Sequence, residues 1–200
     1  MRRKKKRSLP AEGNLILLLF FAGFTLGILF MNVWWNMEGA GAEAGGLYGL
    51  AVLMEQPWKK GDYFLYLLKR RGSLFLLAAL SGITVFGVPV AAVGVLGTGM
   101  VLGSLISLGL LEVGLKGGVL VLGIFFPQLL LYMPGILGIG ILTYRSSLQG
   151  WKSREIPLAL YRRQLFWLGG FLMLCLAGMF LEAYVNPEIV TFFIKRLKIF

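Results

Sequence analysis

Residues 72–111 read GSLFLLAALSGITVFGVPVAAVGVLGTGMVLGSLISLGLL, forty residues without a single charge. As one helix, at about 1.5 Å per residue, this stretch would run to roughly 60 Å, about twice the hydrocarbon thickness of a bilayer. It therefore reads as two spans, about 73–92 and 95–111, that turn back between them. No charge marks the turn. Gly82, Gly87 and Pro89, then Gly94, Gly97 and Gly99, are the breakers around its middle, and they leave the tip within 88–99. A tip this apolar has to be sheltered by protein or lie at a membrane surface.

Composition agrees with a membrane chain. Of 200 residues, 58% are hydrophobic and 14% charged, which excludes an ordinary soluble domain. The 28 glycines follow no Gly-X-Y period, so they read as close-packing positions of transmembrane helices rather than as collagen or linker. A net charge of +11 raises nucleic acid as a partner. The cations cluster beside apolar runs, however, without aromatic interleaving. That pattern orients spans and meets anionic lipid, so membrane lipids and no nucleic acid are expected.

Outward from the central stretch, the chain reads as an all-α polytopic transmembrane bundle of about five spans, with Gly/Pro-containing helices that are kinked or broken. Residues 1–13 form a basic cytoplasmic N-terminus and 14–200 one integral membrane domain, with further spans at about 14–35, 117–143 and 164–185. The 14–35 run is too long for a signal-peptide core and lacks a cleavage site, so it is expected to be retained. Gly23 and Gly27 in it form a GxxxG, and Trp34-Trp35 suit an interfacial belt. An acidic, glycine-rich loop follows around Glu38–Gly46. Leu47–Met54 is apolar but too short to span, and Asp62–Arg71 reads as an interfacial helix. Gly99, Gly103 and Ser107 make a small-residue face, as do Gly114 and Gly118. Such faces serve packing within one chain or a homo-oligomer equally well. Glu112 and Lys116 suit an i, i+4 pair at the membrane edge. Pro127 and Pro134 each remove a backbone donor, and Gln128 is placed to bond a freed carbonyl or to cross to a neighbouring helix. Thr191–Phe200 is a basic, aromatic tail too short to span. An N-terminus inside leaves eleven Lys/Arg on the cytoplasmic side against nine on the other, a narrow margin for the positive-inside rule.

No catalytic constellation emerges. Histidine is absent and Cys175 is the only cysteine, so the commonest general base and metal ligand is missing and no internal disulfide can form. Nucleophile-elbow and phosphate-loop motifs are absent too. Glu112 and Glu182 read as span-end charges, leaving the inner portions of the spans without ionisable groups, against an ion or proton path. The expectation is a chain that is not an enzyme and holds no cofactor or metal.

Several motifs, in order, resemble one family. Gly82, Gly87 and Pro89 give the Gly-x-x-x-x-Gly-x-Pro stretch of stage II sporulation protein M and its relatives. Gly97–Gly103, then Leu115-Lys116-Gly117-Gly118, Phe126-Pro127-Gln128 and Pro134 follow in the corresponding places. The correspondence covers roughly Tyr63–Leu142, with Thr98 where many relatives are expected to carry a basic residue. The resemblance implies a multi-pass protein of the bacterial cytoplasmic membrane, at the sporulation septum of endospore formers. There it would act as a non-enzymatic scaffold during engulfment. It would gather a lytic transglycosylase-like and an amidase/endopeptidase-like protein that thin the septal peptidoglycan. The alternative is a permease subunit of an ATPase-driven transporter, suggested by interrupted spans.

Overall fold

The computed structural model describes residues 11–38, 60–84, 86–152, 158–189 and 192. The basic residues 2–7, most of the acidic loop, Leu47–Met54 and most of the tail lie outside them. The described elements are α1 (Ala11–Glu38), α2 (Lys60–Leu67), a π-helical turn (Leu68–Gly72), α3 (Ser73–Ser81), α4 (Gly87–Val113), α5 (Leu115–Lys152) and α6 (Leu158–Tyr184). Within α1, α4, α5 and α6, the segments Gly13–Met37, Gly87–Val113, Leu115–Leu148 and Arg162–Tyr184 are long and apolar enough to cross a membrane. Each carries apolar residues on most of its faces, as helices with lipid on one side and protein on the other must.

Residues 60–81 form a fifth helical passage, continuous through α2, the π turn and α3. Contacts fix the directions. Phe20 and Phe24 of α1 meet Gly99 and Gly103 of α4, so these helices run parallel. Gly109 meets Gly117, and Gly87 meets Ser147, so α4 and α5 are antiparallel. Ser146 bonds Gln164, and Gln128 bonds Asn186, so α5 and α6 are antiparallel as well. Lys60 reaches Glu188 and Arg71 reaches Glu182, which sets residues 60–81 antiparallel to α6. The described residues thus traverse the bundle five times. The start of α1, the turn after α3, the end of α5 and the start of α6 share one end.

The turn of the central stretch lies at residues 82–86, ahead of the expected 88–99, and α4 runs unbroken from Gly87 to Val113. The reason is where Pro89 falls. It is the third residue of α4, and the first four N–H groups of a helix have no intrahelical partner, so the missing donor costs nothing. The first closing bond runs from the Val90 N–H to the Phe86 carbonyl, 3.1 Å. Residues 73–92, expected as one span, are therefore the end of one passage, a turn and the start of the next. The uncharged tip is sheltered by α5. The Ser147 hydroxyl donates to the Thr84 carbonyl at 2.8 Å, and the Thr143 hydroxyl to the Ala78 carbonyl at 3.0 Å. α5, in turn, continues as helix through both Pro127 and Pro134.

Two glycine-spaced faces bring α1 and α4 backbone to backbone. A Cβ on Gly23 or Gly27 would overlap the Leu96 or Met100 carbonyl, and one on Gly99 or Gly103 the Phe20 or Phe24 carbonyl. The GxxxG of α1 is thus used inside the chain. Ser104 donates to the Gly27 carbonyl at 3.2 Å, and Asn32 to Ser107 at 3.0 Å, closing the seam with polar bonds. Gly114 is different: it is exposed, with φ 66° and no atom within 4 Å of an added Cβ. It is the left-handed residue that lets α4 reverse into α5 in one step, so its glycine serves the turn and not packing. It also places Glu112 and Lys116 on different helices.

Candidate functional site

The α2 segment, expected as an interfacial helix, packs along the end of α6. Phe64 stands edge-on to Phe180 at 6.1 Å between ring centroids, and Phe180 stacks on Tyr184 at 4.4 Å. Leu67 joins the core cluster of Tyr132, Ile139, Cys175, Met179 and Ala183. The π turn then widens the helix at Leu-Lys-Arg-Arg-Gly. With more residues per turn than an α-helix, it changes where successive side chains point, a device common at functional sites. Lys69 and Arg70 are exposed, whereas Arg71 turns inward and Gly72 is buried.

Arg71 Nη1 lies 2.5 Å from Glu182 Oε2, and the Tyr132 hydroxyl donates to that same oxygen at 2.9 Å. The Arg71 guanidinium also stands 5.8 Å from the Tyr132 ring centroid, within cation–π range. Glu182 is 3% exposed. One helical turn away, Asn186 donates to Gln128 Oε1 at 3.2 Å, with both residues buried. The spacing explains the arrangement. Gln128 and Tyr132 are four apart on α5, Glu182 near the end of α6 and Asn186 just past it are four apart as well, and antiparallel packing matches them as two polar rungs. A carboxylate in an apolar helix is costly unless neutralised and hydrogen-bonded. Arg71 and Tyr132 supply both, from two different helices. Among the described residues, no buried side-chain nitrogen or oxygen lacks a partner. No three His, Cys, Asp or Glu among them converge to hold a metal ion. The cluster is a neutral, bonded junction between three passages, suited to fixing helix positions.

The residues singled out from sequence fall mostly elsewhere. Gly82 and Gly87 sit where the turn meets α5, with an added Cβ 3.2 Å from Thr143 Cα and 2.8 Å from Ser147 Cβ, respectively. Gly99 and Gly103 lie on the α1 seam. Gly118 is buried beside Leu110, and Pro127 and Pro134 are carried within α5. Only Gln128 belongs to the polar rungs, where it crosses to α6. Arg71, Tyr132, Glu182 and Asn186 were missed. Glu182, expected as a span-end charge, does lie close to the end of α6 but is buried there, and Arg71, expected on an interfacial helix, lies in the π turn and pairs with it. The matched i, i+4 spacings of 128/132 and 182/186 were the available signal.

Comparison with known proteins adds the family. A family model described as Stage II sporulation protein M matches residues 16–187. No curated protein and no solved structure matches. The match takes in α1 and all four later passages, including every residue of the polar rungs. This chain belongs to the stage II sporulation protein M family.

Proposed function

We propose that this sporulation-family membrane protein is a non-enzymatic scaffold of the bacterial cytoplasmic membrane. It gathers peptidoglycan-degrading partners, lytic transglycosylase-like and amidase/endopeptidase-like, for septal wall thinning during engulfment. Family membership carries the reading. The bundle is compatible with it: among the described residues every buried side-chain nitrogen and oxygen already has a hydrogen-bond partner within the chain. Orientation follows from charge. Among the described residues, Arg145, Lys152, Arg162 and Arg163 lie toward the end where α5 gives way to α6, against Lys60 and Lys116 at the other. By the positive-inside rule this supports an N-terminus in the cytoplasm and a C-terminus outside.

A permease subunit is less favoured, because its motive was interrupted spans, and α4 and α5 run through Pro89, Pro127 and Pro134 as helix. The test is deletion in a sporulating cell with fluorescently tagged wall hydrolases. The scaffold reading expects the hydrolases to be made at normal levels but dispersed from the septum, with engulfment stalled. Normal septal localisation in the deletion strain would refute it.

A further inference from the structure

Three consecutive cations, Lys69, Arg70 and Arg71, lie in the π turn. Arg71 serves the junction, with one guanidinium nitrogen on Glu182. Lys69 and Arg70 are exposed, and neither pairs with an acid among the described residues. The acid of the 60–81 passage, Asp62, comes seven residues before Lys69, about 10 Å away along the helix. Across that distance salt screens much of the attraction between exposed charges. Glu188 is held by Lys60. Two positive charges thus stand on adjacent residues with no counter-charge from the described chain.

The π turn gathers them. It has more residues per turn than an α-helix, so successive side chains fan through a smaller angle. Arg71 faces Glu182 while Lys69 and Arg70 stay on the open side, and the Arg71 side chain is itself 42% exposed. A guanidinium carries five N–H donors, so Arg71 keeps donors toward the open side as well.

Depth identifies the ligand. The apolar segment of α6, Arg162–Tyr184, has 23 residues and measures about 34 Å, near the roughly 30 Å of a hydrocarbon core. Its Tyr184 end therefore marks one membrane face, and Glu182 holds Arg71 just inside it. The outward surface of residues 60–81 changes character at the same level. Leu74, Leu76, Leu77 and Leu80 are exposed on one side of this boundary, Lys69 and Arg70 on the other. Long cationic side chains at such a boundary keep their stems along apolar surface and extend their heads into the polar layer. These cations belong to a helical passage, so they stand apart from the loop charges that set orientation.

We propose that Lys69, Arg70 and the open edge of Arg71 form a binding site for the phosphate of an anionic phospholipid, in the leaflet at the Tyr184 end of α6. A zwitterionic lipid is disfavoured, because its choline or ethanolamine brings a cation to a place that already holds two uncompensated ones.

Full-length protein in a neutral detergent is titrated with phosphatidylglycerol or phosphatidylcholine, and bound lipids are counted by native mass spectrometry. The test variant combines Lys69→Gln with Arg70→Gln, which leaves Arg71 and the junction in place. Arg162→Gln with Arg163→Gln is the control, removing an equally exposed adjacent pair near the start of α6. Thermal unfolding midpoints check folding. The proposal expects one phosphatidylglycerol bound more tightly than phosphatidylcholine, weakened roughly tenfold or more in the test variant and unchanged in the control. Equal affinity for the two lipids would overturn it, as would unchanged phosphatidylglycerol binding in the folded test variant or an equal loss in the control. Displacement of the lipid by glycerol phosphate at equal concentration would overturn it too, by assigning the cations to a soluble phosphate. Should the test variant fail to accumulate, Lys69→Gln and Arg70→Gln are read singly, and the wild-type comparison of the two lipids still decides.

Discussion

The α1–α4 seam and the junction of residues 60–81 with α5 and α6 hold helices together in opposite ways. The seam brings two parallel backbones together through Gly23, Gly27, Gly99 and Gly103, and its strength is contact between carbonyls and bare Cα atoms. The junction keeps its helices apart by aromatic and aliphatic side chains and joins them through Arg71, Tyr132 and Glu182. The first tolerates no added atoms. The second tolerates shape changes but not the loss of one charge. In a membrane, neither can draw on hydrophobic exclusion of water, so packing and polar pairing are the two means left.

The sharpest way to break the comparison is Gly103→Leu. Its Cβ alone would overlap the Phe24 carbonyl, and the rest of the side chain must push α1 and α4 apart. Overpacking costs about 1–3 kcal/mol where side chains can shift and more where backbone must move. The expected outcome is little or no folded protein, read as membrane accumulation and monodispersity in detergent. Wild-type behaviour would show that the seam is looser than drawn.

Next in size is Arg71→Met, which leaves the Glu182 carboxylate buried with Tyr132 alone. Breaking a wholly buried pair costs about 3–5 kcal/mol. The figure is smaller here because the Arg71 side chain is 42% exposed and water screens its half of the pair. Adding Glu182→Met should recover much of the loss, since apolar replacement of both partners removes the buried charge. The midpoint of thermal unfolding in detergent measures both. A double variant no better than the single one would mean that the ion pair is not the element that matters.

Tyr132→Phe is smaller still. It removes one hydrogen bond to a charged acceptor, about 1.5–3 kcal/mol, and keeps the ring against Phe75 and the guanidinium. Its unfolding midpoint should fall by less than that of Arg71→Met.

Smallest is the Lys60–Glu188 pair, 2.9 Å apart and exposed. The hydrogen bond from Lys60, with its charge, holds the Glu188 carboxyl below its ordinary value of 4.5. A depressed carboxyl pKa contributes stability above the unfolded value, and that contribution fades as pH falls through the lower folded value. Glu188→Gln should therefore leave the unfolding midpoint nearly unchanged at pH 7 and slightly flatten its fall below pH 4.5.

Much of this architecture was legible from residue 72 onward. A long uncharged run must fold back, and glycine at i, i+4 must meet another backbone; both followed from length and spacing. The turn was misplaced because Pro89 and the glycines near it signal breaks equally well at a helix start or inside a packed seam. Only tertiary contact separates these cases. The polar junction was hidden for a different reason. Arg71 sits beside Lys69 and Arg70, so it reads as one more surface cation, and its inward direction depends on the π turn. Glu182 lies near the end of its helix, where an acid usually meets water. Only its i, i+4 spacing to Asn186, matched to that of Gln128 and Tyr132, sets it apart.

The pairing of Arg71 with Glu182 spans 111 residues, and this sets an order on biogenesis. During synthesis, Lys69, Arg70 and Arg71 emerge well before the carboxylate that neutralises one of them. Until α6 is made, the Arg71 guanidinium has no carboxylate to pair with, and the core around Tyr132 and Met179 lacks one of its walls, so the junction can close only after the last described helix is in place.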